Sequence, residues 1–229
     1  MTRALAAAVL SVGLVVGLAS AASADDKDKD KNKTVKVEPF RVEPFQFGQG
    51  ALSGWIRGAG EPNQKDDPGQ FGFYLQKHTA TSNFSAAGAE LTGNIPKSGD
   101  QLNALAFDIS GFPGFPFDDP NFPSHGYCNN GAPRFNVFSD AGTCFLGCAF
   151  GNKTQNSSGW FEIKFSTPFT QYPGCGVGVS TNIAGIEVIL DEGNDLALPP
   201  PATGNSPGDV VLDNIRVNDK VVGKPKDDD

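Results

Sequence analysis

Residues 126–151, GYCNNGAPRFNVFSDAGTCFLGCAFG, hold three of the four cysteines of the chain and constrain its fold more than any other stretch. Arg134-Phe135-Asn136-Val137-Phe138 is rich in strand formers. Ser139-Asp140-Ala141-Gly142 is a turn former, with Gly142 free to take a positive φ, and residues 143–150 read as a return strand. Folding about Asp140-Ala141 sets Phe135 opposite Leu146 and brings Cys148 back beside the Cys128 arm. Cys144 and Cys148 share parity, so their side chains leave one face of the strand. At that spacing on an extended chain they do not pair easily with each other. Of the three connectivities that four cysteines allow, Cys128–Cys148 and Cys144–Cys175 are favoured. Closing the 128–148 loop contributes about 3 kcal/mol, mostly by restricting the unfolded chain. The C-x3-C spacing of 144 and 148 also permits zinc in number, but on an extended strand at an exported address a disulfide is favoured.

The address comes from residues 1–24. Arg3 precedes an apolar run over 4–18, and Ala22-Ser23-Ala24 forms an A-x-A cleavage site, so these residues read as a signal peptide with the mature chain starting at Asp25. The run is shorter than the ~20 residues of a membrane span. No cysteine follows the cleavage point, and no later stretch is apolar enough to cross a bilayer. The expectation is a secreted, extracellular protein with no membrane span. Removing 1–24 takes away Arg3 and no acid, which leaves 17 basic against 26 acidic residues. That surplus of negative charge argues against nucleic acid or an anionic membrane as partner.

The 205 residues after the signal are enough for one large core. Residues 25–33, DDKDKDKNK, alternate charge and bury nothing, so 25–36 reads as a disordered spacer. A tandem repeat follows, Val37-Glu38-Pro39-Phe40 and Val42-Glu43-Pro44-Phe45. Its prolines forbid a central strand and leave extended chain or an edge strand; a docking peptide is the functional alternative. Alternating segments then recur over 71–77, 89–92, 102–109, 160–165, 186–190 and 210–217, separated by Gly, Pro, Asn and Asp. No ten-residue window after the signal has helical periodicity. With 18 Phe, 28 Gly and 17 Pro, the pattern predicts an all-β, disulfide-bonded, jelly-roll-type antiparallel β-sandwich over 37–222, with a charged tail at 223–229.

The ending Val210-Val211-Leu212-Asp213-Asn214-Ile215-Arg216-Val217-Asn218 resembles the last strand of galactose-binding-like jelly rolls, a group that includes many carbohydrate-binding modules. The block Gly131-Ala132-Pro133-Arg134-Phe135-Asn136-Val137, with Phe145-Leu146-Gly147-Cys148 after it, resembles one found in uncharacterised secreted bacterial proteins. The resemblance spans roughly residues 89–218. It implies an extracellular glycan as partner and a structural calcium, held in such modules by a Glu that follows Phe ahead of a Gly-Trp pair. Here Gly54-Trp55 is present, but Phe47 is followed by Gly48.

Asp213 is the candidate metal ligand. By parity it shares a face with Val211, Ile215 and Val217, which read as core-facing, and a buried carboxylate needs partners. These are backbone N–H groups, an arginine such as Arg134, or calcium. Apart from that calcium, no cofactor is expected. The loop 191–195, DEGND, reads as a solvated turn that lacks the calcium-loop register. Residues 111–127, GFPGFPFDDPNFPSHGY, form a long Pro- and Phe-rich loop ending next to Cys128. Phe115, Phe117, Asp118, Asp119 and Tyr127 are the candidate ligand-binding residues, with the rings as apolar contacts and the acids as acceptors.

No catalytic residue stands out. The two histidines, His78 and His125, belong to no triad or zinc motif, and there is no G-x-S-x-G or H-E-x-x-H. Glu162 and Glu187 both point outward, so a glycosidase pair is conceivable only if they face one cleft. The favoured expectation is a secreted, non-catalytic β-sandwich binding domain for an extracellular glycan. The alternatives are a secreted glycoside hydrolase or polysaccharide lyase, and a structural surface protein without a small ligand.

Overall fold

The computed structural model describes residues 39–62, 64–97, 99–110, 128, 131–176, 178–180, 182–193 and 208–225. Residues 37–229 form one compact unit separate from 1–36. The signal and spacer expectations fall in 1–36, outside the described residues.

The described chain is all-β. Twelve strands run in the order β1 (Arg41–Phe47), β2 (Ala51–Arg57), β3 (Phe71–Lys77), β4 (Ala86–Thr92), β5 (Ala104–Ile109), β6 (Arg134–Ser139), β7 (Gly142–Gly147), β8 (Asn152–Gln155), β9 (Phe161–Ser166), β10 (Ile183–Leu190), β11 (Asp209–Val217) and β12 (Lys220–Val222). One sheet has the order β1-β4-β10-β6-β7, the other β2-β3-β11-β5-β9-β8, with β12 also pairing β11. All the pairings are antiparallel. Successive strands stay in one sheet at β2-β3, β6-β7, β8-β9 and β11-β12 and otherwise cross to the other sheet, and the late strands β10 and β11 fill central positions, giving a jelly-roll-type sandwich.

The core follows from alternation. Leu105, Phe107 and Ile109 of β5 and Phe161, Ile163 and Phe165 of β9 point inward, as does Phe73 of β3, against Phe135 and Val137 of β6 and Ile186 and Val188 of β10. Ring packing links the layers: Phe107 lies 5.2 Å from Phe135, Phe135 lies 6.1 Å from Phe165 edge-on, and Phe165 lies 5.2 Å from Tyr172. Each such side chain stabilises by about 1.5–3 kcal/mol through area removed from water.

The hairpin of β6 and β7 turns at Asp140-Ala141 and sets Phe135 opposite Leu146, as the sequence predicts. The return strand ends at Gly147 rather than continuing to 150, because Cys148–Phe150 turns into a 3₁₀ segment. Asp140 is clasped by the Ser180 hydroxyl and by Asn182 Nδ2 at 2.7 Å, which hold its carboxyl below the usual range. The second copy of the proline repeat lies in β1, an edge strand paired with β4 alone, where Pro44 is tolerated. Sequence periodicity missed β2, β8 and β12; β8, Asn152–Gln155, is exposed throughout and has no apolar alternation to detect.

Lys77 continues the inward parity of β3 and is buried. Its Nζ donates to the carbonyls of Thr81, Asn83 and Asp191 at 2.8–3.1 Å. The 191–193 segment is therefore a junction rather than the expected solvated turn. Asp191 also accepts both guanidinium nitrogens of Arg134, at 2.5 and 2.7 Å, and Glu192 Oε1 accepts the Gly131 N–H.

Both disulfides have the favoured connectivity, Cys128–Cys148 and Cys144–Cys175, and no cysteine is free. The second ties edge strand β7 to the 172–176 turn, where the Phe145 N–H also donates to Gly174 O. Replacing Cys144 and Cys175 together with Ala should lower unfolding free energy by about 2–4 kcal/mol in urea titration, and thiol titration of the native protein should find no reactive thiol.

Candidate functional site

The site forms on the outer face of the seven-stranded sheet. β5 and β11 pair Asp213 with Asp108 and Arg216 with Ala106, so Asn214 and Ile215 together stand opposite Phe107. This is a β-bulge, and Asn214 takes φ +44, a conformation that Asn tolerates better than most residues. The bulge corrects the parity argument for Asp213. Leu212 and Ile215 both point into the core, while Asp213 points away from it with Val211. Asp213 is nonetheless only 1% exposed, because the Glu61 segment covers it.

Its partners are backbone. Oδ2 accepts the Glu61 N–H at 2.7 Å and Oδ1 accepts the Asn214 N–H at 2.6 Å. Arg134, the arginine suggested by sequence, instead pairs with Asp191. Burial pushes the Asp213 carboxyl up to about 7, assisted by the neighbouring charges of Asp108 and Glu61, and the two backbone donors only partly oppose this. Among the described residues no group of three or more His, Cys, Asp or Glu converges to hold a metal ion, so the calcium expectation finds no ligand set there.

Asp108, next to it, is buried against Arg216. Arg216 Nη1 and Nη2 donate to the two Asp108 oxygens at 2.9 and 3.1 Å, and Nη1 also reaches Glu162 Oε1 at 3.0 Å. Burial alone would lower the guanidinium pKa, but Asp108 and Glu162 hold it above its ordinary value. Asn214 Nδ2 bridges Asp108 Oδ2 at 2.9 Å and Glu61 Oε2 at 3.1 Å. Glu61 Oε1 accepts Asn156 Nδ2 at 2.5 Å, and the Ser158 hydroxyl lies 2.7 Å from it. Asn156 Oδ1 in turn caps the Ser158 and Trp160 N–H groups. The result is one continuous network that joins two loops to the sheet.

This network floors a cleft of about 970 Å³, lined by Phe40, Trp55, Glu61, Asp67, Asp108, Thr154, Asn156, Glu162 and Arg216, among others. Trp55 stands opposite the core residue Phe73 and packs edge-on against it, so its indole is partly buried on the core side of edge strand β2, where it borders the cleft. Sequence reasoning singled out Asp213 and Glu162 but missed Glu61, Asp67, Asp108 and Arg216. The signal available was the Asp-Asn-Ile-Arg run at the closing strand together with Asp108, an acid in an otherwise apolar strand. The candidates Phe115, Phe117, Asp118, Asp119 and Tyr127 lie outside the described residues. Glu162 and Glu187 cannot form a catalytic pair, because they project from the outer faces of opposite sheets.

Compared with protein-family models, curated proteins and solved structures, the chain matches none.

Two outcomes are expected. Asp213 has a folded pKa above its unfolded value, so its protonated form is favoured by folding. The stability this provides is full below about pH 4 and is lost as pH rises through about 7, a loss on the order of 4 kcal/mol. Urea midpoints measured from pH 4 to 8 should carry that fall, and Asp213→Asn should flatten it even though the variant is less stable overall. Arg216→Met should lower stability by about 3–5 kcal/mol, because it leaves Asp108 charged and buried without its partner; Asp108→Asn combined with it should recover part of the loss in a double-mutant cycle.

Proposed function

We propose that this protein is an exported, non-catalytic binding domain and that its cleft takes an extracellular glycan. The observation that carries this reading is the combination of aromatic faces, Phe40 and Trp55, with polar side chains held in fixed orientations by one another. Sugars present both surfaces that such a lining suits: apolar C–H faces for rings, and hydroxyls for amides and carboxylates. Because Asp108, Asn156, Glu162 and Arg216 are already hydrogen-bonded in place, little conformational entropy is lost when a ligand docks.

Export is supported by the two disulfides, which persist in oxidising compartments. No helix among the described residues is long and apolar enough to cross a membrane. The hydrolase alternative has less support. Asp213 carries the perturbed pKa expected of an acid catalyst, yet both its oxygens are occupied by backbone N–H groups and it does not line the cleft.

The test is calorimetric titration with soluble oligosaccharides chosen from a glycan array. Thr154→Ala should weaken binding by about fivefold or more with the thermal midpoint nearly unchanged, and Phe40→Ala should weaken it likewise while also lowering the midpoint, because the ring packs on the core. Unaltered affinity in both variants would place the ligand elsewhere.

A further inference from the structure

The charge of the cleft narrows its ligand. Six carboxylates and three cationic side chains line it. One of the cations, Arg216, is committed to Asp108 and Glu162. Glu61 takes its hydrogen bonds from neutral donors, the amides of Asn156, Gln64 and Asn214 and the Ser158 hydroxyl, and meets Arg216 only through the longer-range field it shares with Asp108 and Glu162. The second observation is Asp67. It lines the same cleft and is 5% exposed; Oδ2 accepts the Phe71 N–H at 2.5 Å, while Oδ1 is buried without a hydrogen-bond partner. A carboxylate oxygen without a donor at that depth is costly unless a ligand supplies one.

The Asn214 amide stands between Asp108 and Glu61 and Arg216 between Asp108 and Glu162, and among the described residues no group of three or more converges on a metal position. A surplus of negative charge beside aromatic side chains matches a ligand that carries positive charge on its rings. We infer that the glycan taken by this cleft bears free ammonium groups, as an oligomer of unacetylated amino sugar does. Acidic glycans are repelled by the same charges. The inference rests on the glycan reading and adds the chemical class of the sugar.

The experiment titrates the full secreted chain with three hexamers at about pH 6 and low salt: glucosamine, N-acetylglucosamine and glucose in β-1,4 linkage. A tetralysine peptide serves as the non-sugar polycation. The glucosamine hexamer should bind about tenfold or more tighter than either neutral hexamer, and the preference should shrink as salt screens it. Asp67→Asn keeps an acceptor for the Phe71 N–H and should cut the preference severalfold. Equal binding of all three hexamers, or a preference untouched by salt and by Asp67→Asn, overturns the amine assignment and leaves the glycan reading standing. Tetralysine binding as tight as the amino sugar, or no binding by any sugar, overturns the glycan reading itself.

Discussion

Asn214 and Ile215 of β11 face a single residue of β5, and the outer face of the sandwich follows from that one extra residue. β11 lies between β3 and β5, so its parity sets what both sheet faces present. Before the bulge, Val210 and Leu212 fill the core; after it, Ile215 and Val217 do. A regular strand would send Ile215 outward with Asp213. The bulge restores apolar packing in the second half of the strand and leaves Asp213, Asn214 and Arg216 with the polar cluster. Asn214 has a double role, since it adopts the positive φ and its side-chain amide joins Glu61 to Asp108.

The electrostatic cost of that cluster is distributed unequally. Asp108 is met by a bidentate arginine, the geometry that best offsets lost hydration. Asp213 has only backbone dipoles and two acidic neighbours, so burial drives it toward the neutral form. Stability at neutral pH is thereby given up, while Glu61 is anchored over the sheet and the floor of the cleft is fixed.

A separate set of buried polar contacts gathers the loops around Lys77. Three carbonyls from the 81–83 and 191 segments meet its ammonium, and Arg134 grips Asp191. The Arg134-Phe135-Asn136-Val137 block thus divides its work by parity. Phe135 and Val137 enter the core, while Arg134 and Asn136 hydrogen-bond to each other on the far face.

The sequence by itself determined the sandwich, most of its strands and the hairpin register, and it favoured the cysteine pairing over two alternatives. The first three are local: alternation with period two and turn chemistry at Asp140-Ala141 act over a few residues, and the hairpin they build brings Cys148 back to the Cys128 arm. The same reasoning placed Asp213 on the wrong face, because parity counting assumes a regular strand and a bulge leaves no mark in hydrophobicity. Only the tertiary structure decided the cleft. Glu61 comes from a loop, Asp108 from β5, Asn156 from the turn after β8, Glu162 from β9 and Arg216 from β11. Residues as far as 153 positions apart become hydrogen-bond partners there. Which acid meets the arginine, which is left with backbone donors and which has an oxygen unpartnered are consequences of packing two loops onto one sheet, and no local pattern encodes them.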